Sequence, residues 1–245
     1  MSLRPLTSAE LLSAWERGQG QPLVTQALVL LSAARPDASL DDLARLSIGR
    51  RDAALLALRG QVFGSRLSSV VGCPACGERL ELTFDAADIG GESLALPAED
   101  LALTAGEYSV RFRLPDSLDM AAAQGSDARA VRATLIERCV LEARRGDEPV
   151  AAGDLPAKVV SAVAHRMAEA DPMADIQISL TCPACEHAWQ ATFDIVSYFW
   201  AELHAWAYRL LAEVHTLASA YGWREADILA LSPWRRQYYL GMLSG

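Results

Sequence analysis

The tetrapeptide Cys-Pro-Ala-Cys occurs twice in the chain, at 73–76 and at 182–185. Each copy is followed at the same offset by Thr-Phe-Asp: Thr83, Phe84 and Asp85 after the first, Thr192, Phe193 and Asp194 after the second. Such a motif forms a knuckle, a tight turn that aims two thiolates at one point while backbone N–H groups donate to the sulfurs. Two knuckles supply four sulfurs, the number that tetrahedral zinc takes in a structural site, with bonds of about 2.3 Å. Cys73, Cys76, Cys182 and Cys185 are therefore the predicted ligands of one Zn2+. Four thiolates leave no open position for water, so the predicted role is structural rather than catalytic. The ion would tie residue 73 to residue 185 and close a very large loop, which disfavours the unfolded chain. A redox CxxC is the rival for either pair taken alone, but it expects one reactive pair at a helix start. Iron is the alternative metal for a tetrahedral sulfur site.

Strand patterns surround the knuckles. Ser68 to Gly72 is small and β-branched, and Leu80 to Phe84 alternates after the first knuckle. Ile176 to Leu180 reads as a strand entering the second. The pair is thus expected to be a zinc ribbon split by a long insertion. In the insertion, Tyr108 to Leu114 alternates and is closed by Pro115. Helical patterns follow from Asp116 to about Ala143, then a charged loop over Arg144 to Gly153, then a helix opened by Pro156 to about Ala170.

Elsewhere the chain reads as helical. Thr7 and Glu10 have capping-box spacing ahead of Leu11, Leu12 and Trp15, and Gly18 and Gly20 end that helix. Pro22 starts a second through Leu31, Ser39 caps a third, and a fourth runs from about Arg50 to Phe63. After Asp194 a single long helix is predicted to Tyr221, then two short ones parted by Ser232–Pro233. On the long helix Phe199, Leu203, Trp206, Leu210, Val214, Leu217 and Tyr221 make one apolar seam. Trp200 and Tyr208 lie off it, so either a second face is core or part of the surface meets a partner.

Among 245 residues the formal net charge is −9, and the densest basic positions are only pairs, such as Arg50–Arg51 and Arg235–Arg236. That balance repels phosphate backbones. Met1 to Glu10 lacks the apolar core of a signal peptide, and the longest apolar run, near Val24 to Leu31, is too short to span a membrane. A cytoplasmic protein with reduced thiols is expected. No phosphate loop, nucleophile elbow or HExxH motif occurs, so no catalytic residue is assigned and the protein is read as not an enzyme. His187 follows Cys185 but corresponds to Glu78 in the first copy and is read as exposed. Cys139 is read as a buried small hydrophobe, and His165, His204 and His215 as structural or surface residues.

The stretches Glu213 to Ala218, Tyr221 to Leu231 and Arg235 to Leu240 resemble the baseplate-hub assembly proteins of contractile-tailed, T-even-like phages and their relatives in contractile injection systems. Gly49 to Leu56 with Phe63-Gly64, and Arg111 to Pro115 with Asp119, fit the same family. The resemblance implies a protein that binds other baseplate or tail proteins as a chaperone or minor component, with no catalytic residues to carry over.

The reading is then an α+β protein, mostly helical. It comprises an N-terminal helical region (1–66), the first half of the ribbon (67–90), an inserted strand-plus-helix region (91–175), the second half of the ribbon (176–195) and a C-terminal helical arm (196–245). Trp223, Trp234, Tyr238 and Tyr239 in the arm are candidate partner-binding residues, because a chain end rarely holds so much apolar surface without docking it. The expected partners are baseplate or tail proteins of a contractile particle, in which the protein could remain. No nucleic acid, membrane or small-molecule substrate is expected. The alternative is a zinc-ribbon adaptor in nucleic-acid metabolism, against which the charge balance argues.

Overall fold

The computed structural model describes residues 3–90, 100–123, 125 and 127–243. The helical body opens with α1 (Ser8–Gly18), whose capping box is formed: the Thr7 hydroxyl accepts from the Glu10 N–H, and the Glu10 carboxylate accepts from the Thr7 N–H. Next come α2 (Leu23–Ala34), α3 (Leu40–Ala44), capped by Ser39, and α4 (Ile48–Phe63). The first hairpin pairs β1 (Arg66–Gly72) with β2 (Arg79–Asp85) in full register from Arg66↔Asp85 to Gly72↔Arg79, and α5 (Ala86–Gly90) follows.

The insertion builds an antiparallel sheet of its own, in the order β3 (Leu101–Ala105), β4 (Tyr108–Phe112), β5 (Val140–Arg145) and β6 (Glu148–Pro149). Between β4 and β5 run α6 (Ser117–Ala122) and α7 (Ala128–Cys139), and α8 (Ala157–Ala170) comes after β6. The expected start of this region, residues 91–99, lies outside the described residues. The second hairpin pairs β7 (Ile176–Thr181) with β8 (Ala188–Phe193), and the chain ends in α9 (Ile195–Tyr221), α10 (Glu225–Leu229) and α11 (Pro233–Leu243).

The fold is α+β and mostly helical, as expected. The insertion departs in detail. The helical patterns expected from Asp116 to about Ala143 are two helices followed by the start of a strand: α6 has its own Asp116 capping box, and Val140 onward pairs with β4 instead of continuing α7. Local pattern misleads there because β5 pairs alongside β4 and brings Val140 and Ala143 into the apolar cluster of Val110 and Phe112, a tertiary contact that overrides helix propensity. The charged loop expected over Arg144 to Gly153 likewise contains the end of β5, a turn at Gly146 (φ +56°) and the short strand β6. Strand β3, whose burial alternates along Leu101–Ala105, and helix α5 were not among the expected elements.

Three apolar clusters hold the chain. The first joins α1, α2, α4 and the start of α9 through Leu12, Leu30, Leu31, Leu55, Leu58, Phe199 and Leu203. The second, within the insertion, gathers Val110, Phe112, Ile136, Val159 and Val163. The third packs Leu210, Val214 and Leu217 against Ile228. The seam on α9 thus serves two clusters in turn. Trp200, off that seam, covers Gly18, where an added Cβ would stand 2.2 Å from the indole. Among the described residues no helix is long and apolar enough to cross a membrane.

Candidate functional site

Each knuckle is built by the same backbone bonds. The Cys73 N–H donates to the Glu78 carbonyl and the Gly77 N–H to the Cys73 carbonyl; in the second copy Cys182 donates to His187 and Glu186 to Cys182. The fifth residue of each turn is left-handed: Gly77 at φ +77° and Glu186 at φ +58°, the latter alone among the described non-glycine residues. The antiparallel strands bring both turns to the same end of their hairpins, where the four sulfurs converge. Cys73 Sγ lies 3.7 Å from Cys185 Sγ, Cys76 Sγ lies 3.6 Å from Cys182 Sγ, and all four fall within 4.8 Å of one another. These separations are too long for disulfides. They suit a tetrahedral ion, because bonds of about 2.3 Å set ligand sulfurs about 3.8 Å apart. The donor set and its spacing therefore fit a zinc-type ion.

Without a cation the cluster resists full ionisation. Burial disfavours the Cys73 thiolate, but N–H groups of Cys76 and Ala75 on its sulfur outweigh that and bring it to about 7. The Glu78 N–H favours the Cys76 thiolate, yet the crowding sulfurs of Cys185, Cys182 and Cys73, with burial, push it up to about 12. All four could be thiolates together only with a positive ion between them.

The contacts obey an internal two-fold relation: the first cysteine of each knuckle meets the second of the other. The repeated Phe84 and Phe193 meet edge to face across the same relation, with centroids 5.6 Å apart. The repeated aspartates each turn the chain into the next helix, Asp85 accepting from the Ala87 N–H and Asp194 from the Val196 N–H. The repeated unit is thus hairpin, ring contact, capping aspartate and helix. Tyr198 fastens the first hairpin to α9 through both the N–H and the carbonyl of Ser68, and Arg59 grips Glu202 with two N–H groups at 2.7 Å.

His187 is exposed, outside the sulfur cluster, and stacks on Trp189. Cys139 is buried as expected but is more than a hydrophobe, since its Sγ donates to Asp119 Oδ2. Burial, with Asp119 beside it, pushes that thiol up to about 12. His204 is half-buried and accepts from the Trp15 indole N–H, while His165 and His215 are exposed.

A second constellation escaped the sequence reading. Seven of the ten buried polar or charged side chains among the described residues (Ser47, Arg51, Asp52, Asp116, Ser117, Asp119 and Asp171) sit where α4 meets the insertion. Ser47 and Asp116 form an isolated β-bridge, and the Ile48 N–H donates to the Pro115 carbonyl. The Gly49 N–H donates to Asp171 Oδ2 at 2.9 Å, and a Cβ at Gly49 would stand 2.1 Å from the other oxygen, so only glycine fits. Arg51 binds Asp52 and reaches the Ser117 hydroxyl. Asp119 accepts from Arg113, Arg138 and the Asp116 N–H. Burial would raise its carboxyl, but the Arg113 guanidinium wins and holds it at about 2. Burial raises the carboxyls of Asp52 and Asp171 from their ordinary value.

The four aromatic residues singled out in the arm divide into two pairs. Trp223 stacks on Tyr221, and Tyr239 closes over both rings, so this pair belongs to the third cluster. Trp234 and Tyr238 stack on each other at 5.7 Å and point outward, 73% and 55% exposed.

Fold and site together define an α+β scaffold organised round a four-cysteine cluster. The chain belongs to the family described as T4 bacteriophage base plate protein, whose model matches residues 29–200. No curated protein and no solved structure matches it. The matched stretch contains both knuckles, the polar joint on α4 and the motifs Gly49 to Leu56 and Arg111 to Asp119. It ends inside α9, so the C-terminal stretches on which the resemblance also rested lie beyond it.

Proposed function

We propose that this baseplate-family protein is non-enzymatic and acts by binding other baseplate or tail proteins, as an assembly or chaperone-like component of a contractile phage tail or injection system. It works in the cytoplasm where such particles are built, and it remains available for incorporation. Membership of the baseplate family carries this reading. The formal net charge of −9 speaks against nucleic-acid binding as the alternative. Zn2+ held by Cys73, Cys76, Cys182 and Cys185 stabilises the fold, and the sulfur separations of 3.6 and 3.7 Å support that assignment. In the arm, Trp234 and Tyr238 touch the partner while Trp223 and Tyr239 support them from beneath.

The test is twofold. Elemental analysis of protein purified under reducing, chelator-free conditions is expected to give close to one zinc per chain; metal-free but folded protein would remove the zinc assignment. Co-expression with the baseplate proteins encoded beside it is expected to yield a stable complex, and retention on duplex DNA at low salt instead would favour the nucleic-acid reading.

A further inference from the structure

Helix α11 is held from one side and open on the other. On the inner side Arg236 is buried, its Nε donating to Glu213 at 2.9 Å and its Nη1 to the Leu231 carbonyl. Gln237 donates to the same Glu213, and Tyr239 and Leu240 pack on the third cluster. On the outer side Trp234, Tyr238 and Met242 follow one another at intervals of four residues, forming a single stripe along the helix, and Met242 is 55% exposed. Side chains of this size are seldom left in water on a helix that is otherwise fixed. A preorganised helix with anchors one turn apart is the ligand half of helix-in-groove recognition.

The charges indicate what covers the stripe. Over Pro233–Leu243 the helix has two arginines and no carboxylate, in a chain of net charge −9. Arg236 is neutralised by Glu213, whereas the exposed Arg235 guanidinium, beside Trp234, has no ion pair among the described residues. A second copy docking through this face would bring Arg235 towards its own equivalent, with no carboxylate on either α11 to answer it. A single free arginine is also too little to track a nucleic-acid backbone.

We infer that α11 inserts its Trp234–Tyr238–Met242 stripe into an apolar groove of another protein, and that acidic residues rim the groove opposite Arg235. This rests on the baseplate-assembly reading and specifies the partner's surface. Full-length, metal-loaded protein is titrated against each purified baseplate protein encoded beside it, at low and high salt. One of them is expected to bind. Trp234→Ala and Tyr238→Ala should each weaken that binding roughly tenfold or more. Arg235→Glu should slow association and flatten its salt dependence, as a rim charge does. All three positions are exposed, so helicity and melting temperature should stay at wild-type values. If a probe binds and the variants bind it equally well, the docking face is wrong while the baseplate reading stands; if none binds the wild type, both fall. A dimer of the free chain that Trp234→Ala dissolves, or single-stranded oligonucleotide binding that it abolishes, would overturn the acidic groove in favour of those occupants.

Discussion

The knuckles join the two hairpins to each other, and the polar joint fastens the insertion to the helical body, with opposite chemistry. At the knuckles four soft sulfurs converge from two copies of one turn, each copy complete within six residues. At the joint, carboxylates and guanidinium groups meet from four separated pieces: Ser47 to Asp52, Arg113 to Asp119, Arg138 with Cys139, and Asp171. Binding energy at a sulfur centre is folding energy, since the site does not pre-exist in the unfolded chain. A buried ion network adds less, because desolvation offsets much of the attraction; its better-attested use is to fix one arrangement among several. The knuckles should therefore decide whether the protein folds, and the joint how the insertion sits.

The largest expected effect follows from that division. Cys76→Ser and Cys185→Ser each remove one of four converging sulfurs, and both should lose the metal and several kcal/mol of stability, roughly equally, though they are far apart in sequence. Cys139→Ser, which keeps a donor for Asp119, should cost about 1 kcal/mol. Zinc content and thermal melts check this. A Cys76→Ser variant that melts like wild type and retains zinc would break the comparison at its stronger end.

The joint gives the intermediate effect. Asp119→Asn leaves Arg113 and Arg138 without their carboxylate, and about 3 kcal/mol should be lost with the metal still bound. Its pH dependence has a definite sign. The folded-state carboxyl is depressed from 3.8 to about 2, so its contribution is present above pH 3.8 and lost as pH falls through about 2. The stability gap between wild type and Asp119→Asn should therefore narrow over that window in acid-unfolding curves. Asp52 and Asp171, raised by burial, act in the opposite sense: their burial cost is relieved when they take up protons. A gap that stays constant down to pH 2 would remove Asp119 from the joint's electrostatics.

The same contrast explains what could be read beforehand. Spacing alone exposed the knuckles, since a turn with two thiols is a local device and its repetition at a fixed offset is visible in one dimension. The capping box at Thr7, the cap at Ser39 and the seam of α9 were legible for the same reason. Asp116 read only as the start of a helix and Asp119 only as part of a family motif; nothing local says that Arg113 and Arg138 close on Asp119, or that Asp171 sits against Gly49. Strand β5 was hidden because its partner residues on β4 lie 28 to 37 residues earlier, the separation of Phe112↔Val140 and of Tyr108↔Arg145. Repetition of Thr-Phe-Asp was visible, but its purpose, a ring contact and two helix caps, needed the third dimension. The arm showed its aromatic content, and only packing separated Trp223 and Tyr239 from Trp234 and Tyr238.

The smallest effect probes the one asymmetry between the two knuckles. Both turns need a left-handed residue at the fifth position, and the first has Gly77 there while the second has Glu186. A side chain in that conformation costs roughly 1 kcal/mol, and glycine gives back part of the gain through the entropy of the unfolded chain. Glu186→Gly should then stabilise the protein by about 0.5 kcal/mol, a rise in Tm of about one or two degrees for a chain of this size. Gly77→Glu should lower stability by a similar amount, with zinc content unchanged in both. Glu186 is exposed, and among the described residues its side chain makes no hydrogen bond or ion pair, so the backbone strain is what the exchange relieves. If Glu186→Gly lowers Tm instead, the glutamate side chain holds the second knuckle in a way the first does not need, and the two-fold equivalence of the sulfur centre fails at that point.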